Sequence, residues 1–180
     1  MVALLLADGF EEIEALTPVD VLRRGGVDVK TFSITEELCV CGAHDILVDA
    51  DDTILNIDYS CVDAVILPGG LKGTENLESN KDTEYLLEHM FENKKLVCAI
   101  CAAPRVLGKY GYLDGFKATS YPGFEECMGD VSYSEEGVVK DRNVITSRGM
   151  GTAMDFALAI LEHIKDRSTA EQVAKAIMYR

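Results

Sequence analysis

Two cysteines three residues apart sit in L-V-C-A-I-C-A-A-P-R-V-L, residues 96–107, an apolar run that breaks into alanines and a proline. Four chemistries suit such thiols: core filler, a redox pair, a metal site and a nucleophile. The redox reading fails on geometry. If the run is a strand, Cys98 points with Leu96 and Ile100, while an extended Cys101 points with Val97 and Ala99. Three residues of strand separate them by roughly 10 Å, beyond the disulfide limit of about 7 Å. A metal site would need Cys39-Val-Cys41 to converge with Cys98 and Cys101 from distant segments, whereas structural zinc prefers paired loop knuckles.

The nucleophile reading rests on Pro104. Proline is tolerated only in the first turn of a helix, so a helix is expected to begin near residues 101–103. Cys101 then stands at its positive end, where free N–H groups stabilise a thiolate. Ala99, Ala102 and Ala103 leave room for a tight strand-to-helix elbow. Core packing and function both remain open on this pattern, because cysteine is so often buried.

The elements around this stretch alternate. Val2–Ala7 and Ala64–Leu67 are continuous apolar runs, as in strands covered on both faces. Val27–Ile34, Leu96–Ile100 and Lys117–Ser120 also read as strands, and residues 38–60 as a short hairpin with an irregular link. Val138–Lys140 and Asn143–Ser147 read as a second hairpin. Helices are expected from Glu11 to Arg24, with Pro18 either kinking it or opening a second one, over 81–93, from Cys101 to Lys109, over 153–164 and over 168–178. The expectation is one α/β domain over residues 1–180, an open, mostly parallel sheet with helices on both faces. Such sheets bind ligands beyond the carboxyl ends of their strands. That directs attention to residues 8–14, 68–73, 101–104, 120–122 and 147–151.

Composition narrows the partners. With 17 Lys and Arg against 31 Asp and Glu, the net charge of −14 repels nucleic acid and anionic membrane surfaces. No stretch approaches the length of a membrane span, and the N-terminal apolar run is too short for a signal segment. The six cysteines are therefore expected in a reducing cytoplasm.

Four motifs occur in order: D-G-F-E-E-I-E after the first strand, V-I-L-P-G-G after a later one, A-I-C-A-A-P at the elbow, and T-S-R-G-M-G-T before a long helix. Together they resemble the ThiJ/PfpI superfamily, close to the branch of the parkinsonism-associated deglycase and its bacterial relatives. The resemblance covers nearly the whole chain. It implies a flavodoxin-like three-layer sandwich of the class I glutamine amidotransferase-like type, a homodimer, and a reactive Cys101 paired with Glu14. It also implies an oxyanion site at the backbone N–H groups of Gly70 and Ala102, with no metal or organic cofactor. The activities it implies are a glutathione-independent glyoxalase or deglycase acting on small carbonyl compounds, or alternatively an oxidative-stress sensor or chaperone.

The residues themselves fit those roles. A carboxyl at Glu14 held partly out of water would have a raised pKa and could donate a hydrogen bond to a thiolate. Glu11 reads as a solvated acid of the first helical turn; Gly69, Tyr121 and Arg148 join the expected oxyanion and substrate-binding set, although a turn alone would suffice for Gly69. Arg148 suits a substrate, a dimer partner or a surface ion pair. Two departures stand out: Ala102 occupies the place of the histidine in peptidase-like relatives, and T-S-Y-P supplies Tyr121 where the deglycase branch has a histidine. Met150 replaces a frequent proline. His89 and His163 read as solvated, so no Cys–His triad is visible.

Overall fold

The computed structural model describes residues 1–179. Its chain order is β1 (Val2–Leu6), α1 (Glu12–Arg24), β2 (Val29–Ser33), a hairpin of β3 (Cys39–Cys41) and β4 (Leu47–Asp49), β5 (Asp52–Thr53) and β6 (Ala64–Leu67). Then come α2 (Leu71–Ser79), α3 (Lys81–Glu92), β7 (Leu96–Ile100), α4 (Pro104–Lys109), β8 (Lys117–Ala118) and β9 (Ser132–Tyr133). The chain ends with β10 (Val138–Asp141), β11 (Val144–Ser147), α5 (Ala153–Ile164) and α6 (Arg167–Ala176).

Seven strands form one sheet in the order β10-β11-β7-β6-β1-β2-β5. All neighbours are parallel except β10 and β11, which form the antiparallel edge. This is the mostly parallel α/β sandwich expected. The inner strands β1, β6, β7 and β11 are buried on both faces, which is why they lack polar alternation. Along β7, Leu96, Cys98 and Ile100 enter the core beneath α1 and α5, while Val97 and Ala99 enter the core beneath α3 and α4. Leu4, Leu5 and Leu6 of β1 divide the same way and are fully buried. Burying each such side chain stabilises the fold by about 2 kcal/mol.

The chain leaves β1 toward β2 on one side and places β6 on the other. The sheet order therefore reverses at β1, and a crevice opens above the carboxyl ends of β1 and β6. Cys101 follows β7 directly beside that crevice.

Several elements differ from the sequence reading. Pro18 lies inside one continuous helix. Having no N–H, it leaves the Glu14 carbonyl, four residues back, without its helical donor. The helix α2 has no clear apolar stripe in sequence and was not expected. Lys117–Ser120 forms only the two-residue β8, paired with β9 outside the main sheet. Its continuation is diverted because the Thr119 N–H donates to Thr146 Oγ1 rather than to a strand. His89 is not simply solvated: its ring packs 5.8 Å from that of Tyr59, and its Nε2 is buried. His163 is exposed as expected.

Candidate active site

Cys101 is not extended. Its φ of 64° lies in the left-handed region, which a residue with a Cβ adopts only when its surroundings compel it. Two backbone bonds hold it there: the Cys101 N–H donates to the Ser147 carbonyl at 2.9 Å, and the Cys101 carbonyl accepts from the Tyr121 N–H at 2.8 Å. The turn swings Cys101 out of the strand alternation, so its side chain packs beside the core that holds Cys98. Cys98 is fully buried, and desolvation pushes its thiol well up, as befits inert core. All six cysteines are free thiols.

The helix after Cys101 begins at Pro104, later than its spacing suggested. The thiol precedes it by a turn, so discrete donors matter more than the dipole of a six-residue helix. Those donors are the backbone N–H groups of Gly70 and Ala102, which both hydrogen-bond to Cys101 and favour its thiolate. Gly70 is the N-cap of α2 with φ +85°, and a Cβ there would lie 2.3 Å from the Gly9 carbonyl oxygen. Only glycine brings this N–H to the sulfur.

Glu14, on the first turn of α1, is 1 % exposed. Its Oε2 accepts the Gly69 N–H at 2.9 Å, and the Met150 N–H also donates to its carboxylate. Its side chain is hydrogen-bonded to Cys101. Desolvation, aided by the charge of Glu11, pushes Glu14 up to about 7. Burial, together with the Glu14 carboxylate, pushes the Cys101 thiol up to about 12. The two groups titrate as a pair that shares one proton. With that proton on Glu14, the repulsion vanishes and the sulfur faces two N–H groups and an O–H. A thiolate at Cys101 is thus opposed by an ionised Glu14 and favoured by a protonated one.

This burial has a stability consequence. The folded state binds the Glu14 proton more tightly than the unfolded chain does. The stabilisation from that proton is complete below the ordinary value of 4.5 and is lost as pH rises through about 7.

Gly69 is more than a turn residue. A Cβ on it would lie 2.6 Å from the Cys101 Cβ and 2.5 Å from Glu14 Oε2, so it keeps the pair in contact. Glu11 is not merely solvated either: it is the N-cap of α1, and its Oε2 accepts the Glu14 N–H at 2.7 Å. Tyr121 contributes its backbone N–H to the elbow, while its ring is 52 % exposed and rests over Gly149. Arg148 lines an open groove with Tyr121, Pro122 and Met150, but its guanidinium donates to the Glu135 carbonyl at 2.8 Å. The structure thus joins Cys101, Glu14, Gly69, Gly70 and Ala102, sets Tyr121 at the rim, and turns Arg148 toward a neighbouring loop. The Met150 N–H and the Glu11 cap went unforeseen. Backbone donors have no signature in side-chain identity, and glutamate is not among the favoured N-caps.

Among the described residues, one group has metal-ligand types within reach of each other: Glu11, Glu12 and His44, with ligand atoms inside 4.8 Å. Its oxygens are committed elsewhere. Glu12 accepts both the His44 N–H and the His44 ring nitrogen at 2.7 Å, and Glu11 caps α1. Burial works to raise Glu12, but the His44 hydrogen bonds outweigh it and hold the carboxyl below its ordinary value.

A strained cysteine sharing a proton with a buried glutamate, beneath two aimed N–H groups, invites comparison with known proteins. Protein DJ-1 homolog A of Arabidopsis thaliana is 36% identical over 97% of this chain and 45% of its own length. The chain therefore spans under half of that relative. The Parkinson disease protein 7 homolog of Danio rerio is 37% identical over 98% of this chain and 95% of its own. A crystal structure of a cysteine-to-alanine mutant of a DJ-1 superfamily protein from Salmonella typhimurium superimposes with a TM-score of 0.95. It is 36% identical and covers 99% of this chain and 98% of that one. The model of the DJ-1/PfpI family matches residues 1–163, and the chain belongs to that family.

Proposed function

We propose that this protein is a cysteine-dependent glyoxalase or deglycase acting on α-oxoaldehydes such as methylglyoxal or their adducts. The observation that carries the reading is the hydrogen-bonded pair of Cys101 and buried Glu14 beneath the Gly70 and Ala102 N–H groups. Cys101 adds to the aldehyde carbon, forming a C–S bond, and its proton passes to the former carbonyl oxygen. The two N–H groups steady the negative charge that builds there. Glu14 removes the proton from that carbon and returns one to the adjacent carbon, while the hydroxyl proton of the first carbon passes to the neighbouring ketone oxygen, converting the hemithioacetal to a thioester. Water then cleaves the C–S bond, releasing lactate and restoring the thiol. Overall, one methylglyoxal and one water give one lactic acid, with no net oxidation. Purified protein incubated with methylglyoxal, without glutathione, is expected to produce lactate; absence of lactate would overturn the reading.

The same donors support a second role, in oxidative-stress sensing. Two N–H groups aimed at one sulfur suit sulfinate oxygens, with peroxide as the oxidant reduced to water at each step. After mild peroxide treatment, peptide mass spectrometry is expected to find oxidation concentrated on Cys101, although Cys39, Cys61 and Cys127 are more exposed. Oxidation spread evenly over the six thiols would count against it.

A homodimer fits the surface of α1. Ile13 and Leu16, three residues apart on that helix, are 49% and 37% exposed. Ile13 precedes Glu14, so a second copy seated there borders the Cys101 crevice. Leu16→Asp is expected to shift the sedimentation coefficient from that of a dimer to that of a monomer. Among the described residues, no helix is long and apolar enough to cross a membrane.

A further inference from the structure

A ring of three hydrogen bonds closes the corner beside the thiol. The Glu11 N–H donates to the Gly69 carbonyl at 3.0 Å, the Gly69 N–H donates to Glu14 Oε2 at 2.9 Å, and the Glu14 N–H donates to Glu11 Oε2 at 2.7 Å. Through this ring the start of α1 and the turn between β6 and α2 are fixed to each other. The same turn carries the Gly70 N–H that meets the sulfur, and a Cβ on Gly70 would lie 2.8 Å from the Glu11 nitrogen.

The choice of residue in this ring needs an explanation. Serine, threonine, aspartate and asparagine cap helices best, and a neutral one would close the same ring. Here the cap is a longer, charged side chain, set against a second carboxylate that is nearly inaccessible to water. Like charges that close repel and favour the protonated form of the buried member. Among the described residues, His44 lies within 4.8 Å of the Glu11 carboxylate, but its ring is bonded to Glu12. Glu14 is faced by the Gly69 N–H, the Met150 N–H, the Cys101 thiol and Glu11. Glu12 and His44, on the flank, are paired with each other, and the Arg148 guanidinium is turned to Glu135.

We propose that Glu11 is a positioning residue for the Cys101–Glu14 pair, in which its carboxylate fixes the place of Glu14 and its negative charge favours proton uptake by the pair. The proposal rests on the functional reading for its purpose, but the pair can be read without any turnover.

The experiment measures the rate of Cys101 carboxamidomethylation by iodoacetamide against pH, with Cys101 quantified by mass spectrometry in the full chain. Wild type is expected to inflect near the first titration of the pair, about 7. Glu11→Gln keeps an acceptor for the Glu14 N–H but removes the charge, so its inflection is expected to fall by about half to one pH unit. Glu11→Asp restores the charge and is expected to stay close to wild type. Superimposable profiles for Glu11→Gln and wild type would overturn the proposal, as would equal shifts in the Gln and Asp variants. Should Glu11→Gln fail to fold, the wild-type inflection still decides. Glu11 is partly exposed, so molar salt is expected to screen it and lower the inflection, and a salt-independent inflection would overturn the proposal. If lactate never forms yet Glu11→Gln shifts the alkylation profile, the glyoxalase reading fails and the role of Glu11 stands.

Discussion

Replacing Cys101 by alanine is expected to end lactate formation from methylglyoxal, with a loss of roughly three orders of magnitude or more. No other thiol can take its place. Cys98 is sealed in the core beneath α1 and α5, and Cys39 and Cys41 lie on the hairpin of β3 and β4. The aimed N–H groups of Gly70 and Ala102 belong to Cys101 alone. Glu14→Gln is expected to cost roughly a hundredfold, because the amide can donate a hydrogen bond to sulfur but cannot carry a proton between carbons. The two losses should not add, since the pair acts as a unit. The glutamine variant also carries a signature in stability. At pH values above 7 wild type holds a buried carboxylate that the unfolded chain would expose to water. Removing it is expected to stabilise the protein by up to about 3 kcal/mol there, with the difference fading below 4.5. Denaturant unfolding at pH 5 and pH 8 measures this directly, and activity lost while stability is gained separates a chemical role from a structural one.

The parts of this molecule that were readable in advance are those where one physical demand dominates. Strands such as Val2–Leu6 and Ala64–Leu67 must be apolar on both faces, so they stand out as unbroken runs. The helix α5 shows the i, i+3, i+4 pattern because one side of it faces the sheet. Pro104 signals a helix start nearby through its missing N–H, although α4 begins at Pro104 itself rather than at 101–103. By contrast, α2 buries only Gly73, Thr74 and Leu77, and two of these give no apolar signal. The pairing of Cys101 with Glu14 came from ordered motifs rather than from spacing, since 87 residues of chain separate them. What remained hidden was carried by the backbone: the left-handed turn at Cys101, the Met150 donor and the bond from Gly69 to Glu14. These depend on where the chain passes, not on which side chain it bears. A strained thiol at the end of a parallel strand is a place where local preference yields to function.

The two adjacent glycines should fail in different ways when alanine replaces them. At Gly70 the backbone is left-handed, and an added methyl would lie 2.3 Å from the Gly9 carbonyl oxygen and 2.8 Å from the Glu11 nitrogen. These are backbone atoms of the turn between β1 and α1, and they cannot rotate away. The strained φ alone costs about 1 kcal/mol, and displacing the turn raises the total to about 3 kcal/mol, a large share of a domain's stability. At Gly69 the obstacles are the Cys101 Cβ, which is fixed to its backbone, Glu14 Oε2, which can yield, and the Ile100 carbonyl oxygen at 3.0 Å. Gly69→Ala is therefore expected to lower the unfolding temperature less than Gly70→Ala, having no left-handed φ to strain, while losing lactate formation by roughly a hundredfold or more, because the thiol and carboxyl are pushed apart. Gly70→Ala is expected to lower the unfolding temperature by several degrees as well as the rate. Thermal denaturation and the lactate assay on both variants distinguish the cases. Equal destabilisation of the two would mean that Gly69 serves only the turn, and that contact between Cys101 and Glu14 does not depend on the empty space it leaves.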